Sequence, residues 1–253
     1  MRPGLRSLGA VTLCALLAAG ALPARAGAQP AAAGALAPAA GTQPAAGRGL
    51  RTLILVRHGV YDETDPRDAE VGKRLLPEGC EQARITGARL AAWPARVDAI
   101  HASTLRRARE TAEIIARSLP GRSPEPDLDL RECTPPTYRA DVMADLGPGE
   151  ADSCAVQLER AFARYFRPSP ARDSTEVLVC HGNVIRWLTC RALGADPKLW
   201  LTMSLANCSL TVIEVKPGGG CRITAVGDRG HLPAALQTWA MPRPAAADSA
   251  RKR

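Results

Sequence analysis

Aromatic side chains are scarce in this chain, at 4% of its 253 residues, and several ligand-binding patterns are missing. None of its eight cysteines forms a CxxC pair, and aromatic residues are not interleaved with basic ones. These absences argue against a structural zinc site and against nucleic-acid binding. After the N-terminal segment, no apolar run reaches the roughly 20 residues that a membrane-spanning helix needs.

Acidic residues are also absent before Asp62, and the first 26 residues have the composition of a targeting segment. Arg2 and Arg6 precede an apolar stretch at 8–22, which is followed by the small-x-small site Ala24-Arg25-Ala26. This pattern predicts a signal peptide over 1–26 and an exported protein, periplasmic or secreted. Two alternatives stay open: an uncleaved segment that anchors the protein to a membrane, and a mitochondrial transit peptide, which also lacks acidic residues.

The composition divides the rest of the chain into three parts. Residues 27–50 are rich in Ala and Pro and predict a flexible linker, 51–240 have the apolar content of one folded domain, and 241–253 predict a disordered basic tail. The net charge of +8 suits an anionic substrate.

Short apolar runs alternate with helical patterns along the domain. Strands are predicted at 53–56, 97–102, 128–130, 177–180, 210–215 and 221–226, and helices at 77–92, 104–119, 151–167 and 183–193. The Pro217-Gly218-Gly219-Gly220 stretch predicts a hairpin between the last two strands. We therefore expect an α/β three-layer sandwich, with a mostly parallel sheet, helices on both faces and an antiparallel edge.

Two of the four histidines close predicted strands, in Arg57-His58-Gly59 and His181-Gly182-Asn183. Ligands of an open parallel sheet bind beyond the carboxyl ends of its strands, so both histidines are expected at one site. Imidazole is a nucleophile, a neighbouring guanidinium matches phosphate oxygens, and glycine lets the backbone approach a ligand closely. The alternative for each histidine is a structural role at a strand or helix end.

Two further segments offer charged groups after predicted strands. Arg107 falls in the first turn of a helix, where backbone N–H groups favour anions, and Glu132 follows the strand predicted at 128–130. The alternatives are a solvated basic helix face and a surface carboxylate.

Taken together, these segments resemble the histidine phosphatase superfamily, in its phosphoglycerate mutase-like branch. The resemblance covers about 51–230 and rests on four segments in the family's order: Arg57-His58-Gly59, Ser103–Ala108 with Thr111, Leu130-Arg131-Glu132, and His181-Gly182-Asn183. It implies a phosphoglycerate mutase-like fold and no metal or other cofactor. It also implies that His58 is the nucleophile and Glu132 the proton donor. The phosphate would be bound by Arg57, Gly59, Arg107, His181 and Asn183.

The resemblance implies a metal-independent phosphatase that hydrolyses phosphomonoesters through a phosphohistidine. Its substrate would be a phosphorylated small molecule or a phosphoprotein carrying phosphoserine or phosphothreonine. The acidic-aromatic insertion of mutases is missing after Glu132, which favours hydrolysis. Three alternatives remain: a mutase-type phosphotransferase, a non-catalytic binding protein on the same scaffold, and a metal site that includes Cys180 and His181.

Overall fold

The computed structural model describes residues 48–238, which contain the whole predicted sheet. The segments predicted as signal peptide and basic tail, and all but the last three residues of the predicted linker, lie outside this range. Gly49 already pairs with Ser169, and the Leu50 N–H donates to the Asp173 carboxylate at 2.8 Å. Contacts of the domain therefore begin slightly before the predicted boundary at 51.

Residues 48–238 contain six strands: β1 (Arg51–Arg57), β2 (Ala99–Ser103), β3 (Pro124–Asp127), β4 (Ser174–Cys180), β5 (Leu210–Val215) and β6 (Cys221–Asp228). They form one mixed sheet in the order β3-β2-β4-β1-β5-β6. Four neighbouring strands, β3, β2, β4 and β1, pair in parallel, and β5 and β6 add an antiparallel edge. This arrangement confirms the predicted fold class.

Helices cover both faces of the sheet because the central strands are apolar on both sides. In β1, Leu53 and Leu55 pack with one pair of helices, whereas Ile54 and Val56 pack with the other pair. The first pair is α4 (Glu150–Tyr165) and α5 (Gly182–Leu193), and the second is α1 (Pro77–Ala91) and α2 (Arg106–Ala116). The fully buried runs of β1 and β4 are typical of parallel strands inside a three-layer sandwich.

The strand predicted at 128–130 is wrong: these residues form a 3₁₀ helix, and β3 lies earlier, at Pro124–Asp127. The Asp127 side chain accepts a hydrogen bond from the Asp129 N–H at 2.9 Å, which ends the strand and starts the turn. Leu130 is fully buried, so its apolar character reflects core packing. A short helix, α3 (Ala140–Ala144), and two 3₁₀ helices, Pro197–Thr202 and Ala234–Leu236, were also not predicted.

One disulfide joins Cys133, which directly follows Glu132, to Cys154 of α4. Five other cysteines of the described residues are free thiols: Cys80, Cys180, Cys190, Cys208 and Cys221. Between residues 48 and 238, none of the helices has the length and apolar character needed to cross a membrane.

Candidate active site

The two histidines predicted to share a site meet where β1 and β4 end side by side. The parallel register pairs Arg57 with Cys180, so the residue after each strand is a histidine. The His58 N–H donates to the Cys180 carbonyl at 3.0 Å, and the ring centroids of His58 and His181 are 5.1 Å apart. Both imidazoles are buried.

The hydrogen-bond partners of His58 define which ring nitrogen carries the proton. Nδ1 lies 2.9 Å from the Gly59 carbonyl oxygen, which only accepts, so Nδ1 is the protonated nitrogen. Nε2 accepts a hydrogen bond from Arg107 Nε at 3.2 Å and therefore carries the lone pair. Burial, followed by the charges of Arg57 and Arg107, lowers the pKa of His58 well below its ordinary value. His58 is thus a neutral imidazole at pH 7 with its nucleophilic nitrogen beside a guanidinium.

His181 is held in a similar way by the end of β2. Its Nε2 lies 2.7 Å from Ser103 Oγ, while its buried Nδ1 has no hydrogen-bond partner. Burial is the main cause that lowers the pKa of His181, and the nearby His58 and Arg107 add to it. With Ser103 donating to Nε2, the proton of the neutral ring lies on Nδ1, which is then free to donate to a ligand.

Arg57 brings a second buried guanidinium to the site. Its Nη1 donates to the Leu205 carbonyl at 2.7 Å, and its buried Nε has no partner. Arg186, in α5, was not predicted as a site residue, although its Nη1 reaches Asn183 Oδ1 at 3.4 Å and its buried Nε also lacks a partner. A side chain on Gly182 would meet both guanidinium groups at 3.6–3.9 Å. The sequence signal for Arg186 was its place one helical turn after Gly182, at the start of α5.

Glu132 supplies a carboxyl group to this cluster of cations. Its Oε1 is shielded from solvent and has no hydrogen-bond partner, while the Asn183 backbone N–H bonds to the carboxylate. Burial raises the pKa of Glu132 to about 7, although Arg107, Arg57 and Arg186 each act to lower it. A carboxyl group with this pKa can give and take a proton near neutral pH.

Gly59 and Asn183 were predicted to bind phosphate, and the structure engages both in contacts within the protein. The Gly59 N–H donates to Thr111 Oγ1 at 3.0 Å, and a Cβ at Gly59 would lie 2.6 Å from the Gly79 carbonyl oxygen. The Asn183 side chain donates to the Cys133 carbonyl at 3.1 Å. Their role in binding phosphate stays a prediction.

Three residues that were not predicted as site residues contact His58 or the backbone of residues 58–60. Asn207 Nδ2 donates to the His58 carbonyl at 3.0 Å, and Gln82 accepts the Val60 N–H at 2.9 Å. The rings of Tyr61 and His58 meet edge-on with their centroids 5.1 Å apart, and Arg107 Cζ lies 4.8 Å from the centroid of the Tyr61 ring. Asn207 has no local pattern that could have revealed it, since it lies 149 residues from His58.

No group of three or more His, Cys, Asp or Glu side chains within 48–238 is arranged to hold a metal ion. The four motif segments instead bring together two neutral imidazoles, arginines and one carboxyl group. This set of groups can bind a phosphoryl group, attack it and exchange a proton with it.

The family model of the histidine phosphatase superfamily (branch 1) matches residues 53–143 and 150–229. The chain therefore belongs to this superfamily. It is 41% identical over 189 residues to the mitochondrial serine/threonine-protein phosphatase Pgam5 of Caenorhabditis elegans, which covers 72% of this chain and 64% of that protein. It is 36% identical over 192 residues to the human protein of the same name, covering 74% and 65%.

Among solved structures, a phosphoglycerate mutase from Plasmodium falciparum is similar, with 30% identity and a TM-score of 0.51. That match covers 74% of this chain and 96% of the mutase. The chain thus spans just under two thirds of the two curated relatives and nearly all of the mutase. Both curated relatives are named mitochondrial, and neither name supports the export predicted from 1–26.

Proposed function

We propose that this protein is a metal-independent phosphatase that hydrolyses phosphomonoesters through a phosphohistidine at His58. The observation that carries the proposal is the His58 ring itself. Its proton is held on Nδ1 by the Gly59 carbonyl, so Nε2 carries the lone pair, and the Arg107 Nε–H that now bonds to it turns to the phosphoryl oxygens as Nε2 attacks. Membership of the histidine phosphatase superfamily supports the same chemistry.

In the first step, His58 Nε2 attacks phosphorus in line with the bond to the leaving oxygen. The N–P bond forms, the P–O bond breaks, and Glu132 gives its proton to the leaving alcohol. Arg107, which already reaches Nε2, and Arg57 with its unpaired Nε supply positive charge for the phosphoryl oxygens. His181 donates from Nδ1, as its hydrogen bond with Ser103 allows.

In the second step, water attacks the phosphohistidine. Glu132, now ionised, takes the proton of that water, the N–P bond breaks, and inorganic phosphate leaves. His58 returns to its neutral form and Glu132 to its protonated form, so the cycle closes without a metal ion. The arginines supply the positive charge that Mg²⁺ supplies in other phosphoryl-transfer enzymes.

Phosphoproteins with phosphoserine or phosphothreonine are the proposed substrates, on the strength of the Pgam5 relatives. The loop residues Tyr138 and Arg139 give no independent support for this substrate. Tyr138 is bonded to Asp196, and Arg139 is paired with Asp141 on the surface. A phosphoglycerate mutase activity is the second candidate, favoured by the Plasmodium structure.

Activity measurements on the full chain separate these possibilities. We expect hydrolysis of p-nitrophenyl phosphate that EDTA does not reduce, and a His58→Ala variant at the level of buffer alone. His101→Gln is the matched control, since His101 lies in β2 against Glu125 and Glu176. Full activity in His58→Ala would overturn the mechanism, whereas an inactive wild type would favour the non-catalytic scaffold. Isomerisation of 3-phosphoglycerate at a rate above hydrolysis would favour the mutase.

For location, we propose the mitochondrial alternative, because the curated relatives are named mitochondrial and the first 61 residues lack acids. The Cys133–Cys154 disulfide favours an oxidising part of that organelle. Fusion of residues 1–50 to a fluorescent protein tests the targeting. Mitochondrial fluorescence is expected, and secretion of the reporter would contradict it.

A further inference from the structure

The segment that carries Glu132 lies outside helices and strands, and two helices hold it in place. On its N-terminal side, Gln157 of α4 donates to the Arg131 carbonyl at 2.8 Å. On its C-terminal side, Asn183 of α5 donates to the Cys133 carbonyl at 3.1 Å, and Cys133 is bonded covalently to Cys154 of α4. The carboxyl group of Glu132 is therefore located by contacts of the residues on either side of it.

Among these contacts, the disulfide is the covalent one, and it anchors the segment to the core. Cys154 is buried among the apolar side chains of α4 and α5, in the cluster that includes Leu158 and Leu188. The chain after Cys133 runs without regular structure through Pro135 and Pro136 to α3. Without the disulfide, the C-terminal side of the segment would keep the Asn183 hydrogen bond and the bond from Trp200 Nε1 to the Pro136 carbonyl at 3.2 Å, but it would lose its covalent link to α4.

We propose that the Cys133–Cys154 disulfide positions Glu132 for proton transfer, so that its reduction slows the hydrolysis of phosphoesters with a basic leaving group. Cys133 and Cys154 are positioning residues, since they act through Glu132 and touch no reacting atom. The inference rests on the proposed function and extends it to a dependence on redox state.

The chemistry of reduction is ordinary thiol–disulfide exchange with a dithiol such as dithiothreitol or a thioredoxin-like protein. Two electrons pass from the dithiol, the Sγ–Sγ bond breaks, Cys133 and Cys154 become thiols, and the dithiol becomes a disulfide. An oxidising disulfide reagent, such as oxidised glutathione, reverses the change.

The leaving group gives a readout that general loss of structure does not. A serine or threonine alkoxide is strongly basic and needs the proton of Glu132 as the P–O bond breaks, whereas p-nitrophenolate is weakly basic and leaves almost without it. A displaced Glu132 therefore lowers kcat/KM for a phosphoserine peptide far more than kcat/KM for p-nitrophenyl phosphate. The ratio kcat/KM is the quantity to compare, because it reports the transfer to His58 alone and not the later attack of water, which Glu132 assists with either substrate. General acid catalysis is worth about 10²–10⁴ in rate, so partial misplacement is expected to cost about tenfold or more in kcat/KM on the peptide.

The experiment compares wild type, the double variant Cys133→Ser/Cys154→Ser and the control Cys221→Ser on both substrates, before and after dithiothreitol. Cys221 is a suitable control because it is a free thiol at the start of the outer strand β6. We expect kcat/KM of the double variant for the peptide to fall about tenfold or more while its kcat/KM for p-nitrophenyl phosphate stays within about twofold. Dithiothreitol should reproduce this selective loss in wild type and Cys221→Ser, leave the double variant unchanged, and be reversed by oxidised glutathione. Thermal unfolding shows that each form is folded at the assay temperature.

Two results overturn the inference alone: equal losses of kcat/KM on both substrates, which would show a merely structural disulfide, or no loss of kcat/KM on the peptide. A wild type that hydrolyses neither substrate would instead overturn the proposed function, and the inference with it.

Discussion

Glu132 is expected to destabilise the folded protein as the pH rises. Burial makes its ionised form costly, and the nearby arginines only partly offset the loss of hydration. Its pKa is about 7 in the folded chain, against an ordinary value of 4.5. Between these values the folded state holds a proton that the unfolded state has released. The free energy of unfolding therefore falls from about pH 4.5 upward and levels off above about pH 7. The pKa difference corresponds to about 3 kcal/mol.

Glu132→Gln isolates this effect because glutamine resembles the protonated carboxyl group and keeps an oxygen for the Asn183 N–H. Urea unfolding of both proteins at pH 5 and pH 8 gives the difference in free energy. We expect the variant to gain about 2.5 kcal/mol relative to wild type between pH 5 and pH 8 while losing activity on phosphopeptides. The buried histidines titrate in both proteins and cancel in the comparison. A stability difference that does not change with pH would refute the assignment of a raised pKa to Glu132.

Two further predictions concern residues that contact or adjoin His58. Arg107→Lys is expected to lower kcat about 100-fold on p-nitrophenyl phosphate, because lysine replaces the planar guanidinium beside His58 Nε2 with a single ammonium group. Steady-state kinetics measure this, and a kcat equal to that of wild type would contradict it. Gly59→Ala is expected to cost about 1–3 kcal/mol in urea unfolding, because its Cβ would lie 2.6 Å from the Gly79 backbone oxygen. Gly147→Ala is the control, since its Cβ would meet nothing closer than 3.7 Å, and a similar cost in both variants would count against the steric argument.

Much of the fold could be predicted because the central strands are short, apolar runs that alternate with helices. The apolar runs at 53–56 and 177–180, before His58 and His181, are fully buried, and their sequence indicates this directly. The edge strand β3 was misplaced because its sequence, Pro-Glu-Pro-Asp, has no apolar pattern and depends on pairing with β2. Apolar Leu128 and Leu130 next to it gave a false signal.

The site divides in the same way. His58 and His181 could be located because each directly follows a strand, β1 or β4. Arg107 begins the helix after β2, and Glu132 follows the turn after β3. The contacts of Asn207 and Gln82 could not be predicted, since their polar atoms act on backbone groups that only the tertiary fold brings near. The pairing of Cys133 with Cys154 also needed the fold, because seven cysteines after the N-terminal segment allow many pairings.

The central claim is that phosphate passes through His58, and trapping that intermediate tests it most directly. Full-length protein is mixed with a ³²P-labelled phosphoserine peptide and quenched with alkali within milliseconds, since phosphohistidine survives alkali and is lost in acid. The account predicts a label on the protein that is stable to alkali, labile to acid and located by mass spectrometry on the peptide containing His58. The label should be absent from His58→Ala. An active enzyme that gives no protein-bound phosphate, or a label on another residue, would contradict the account.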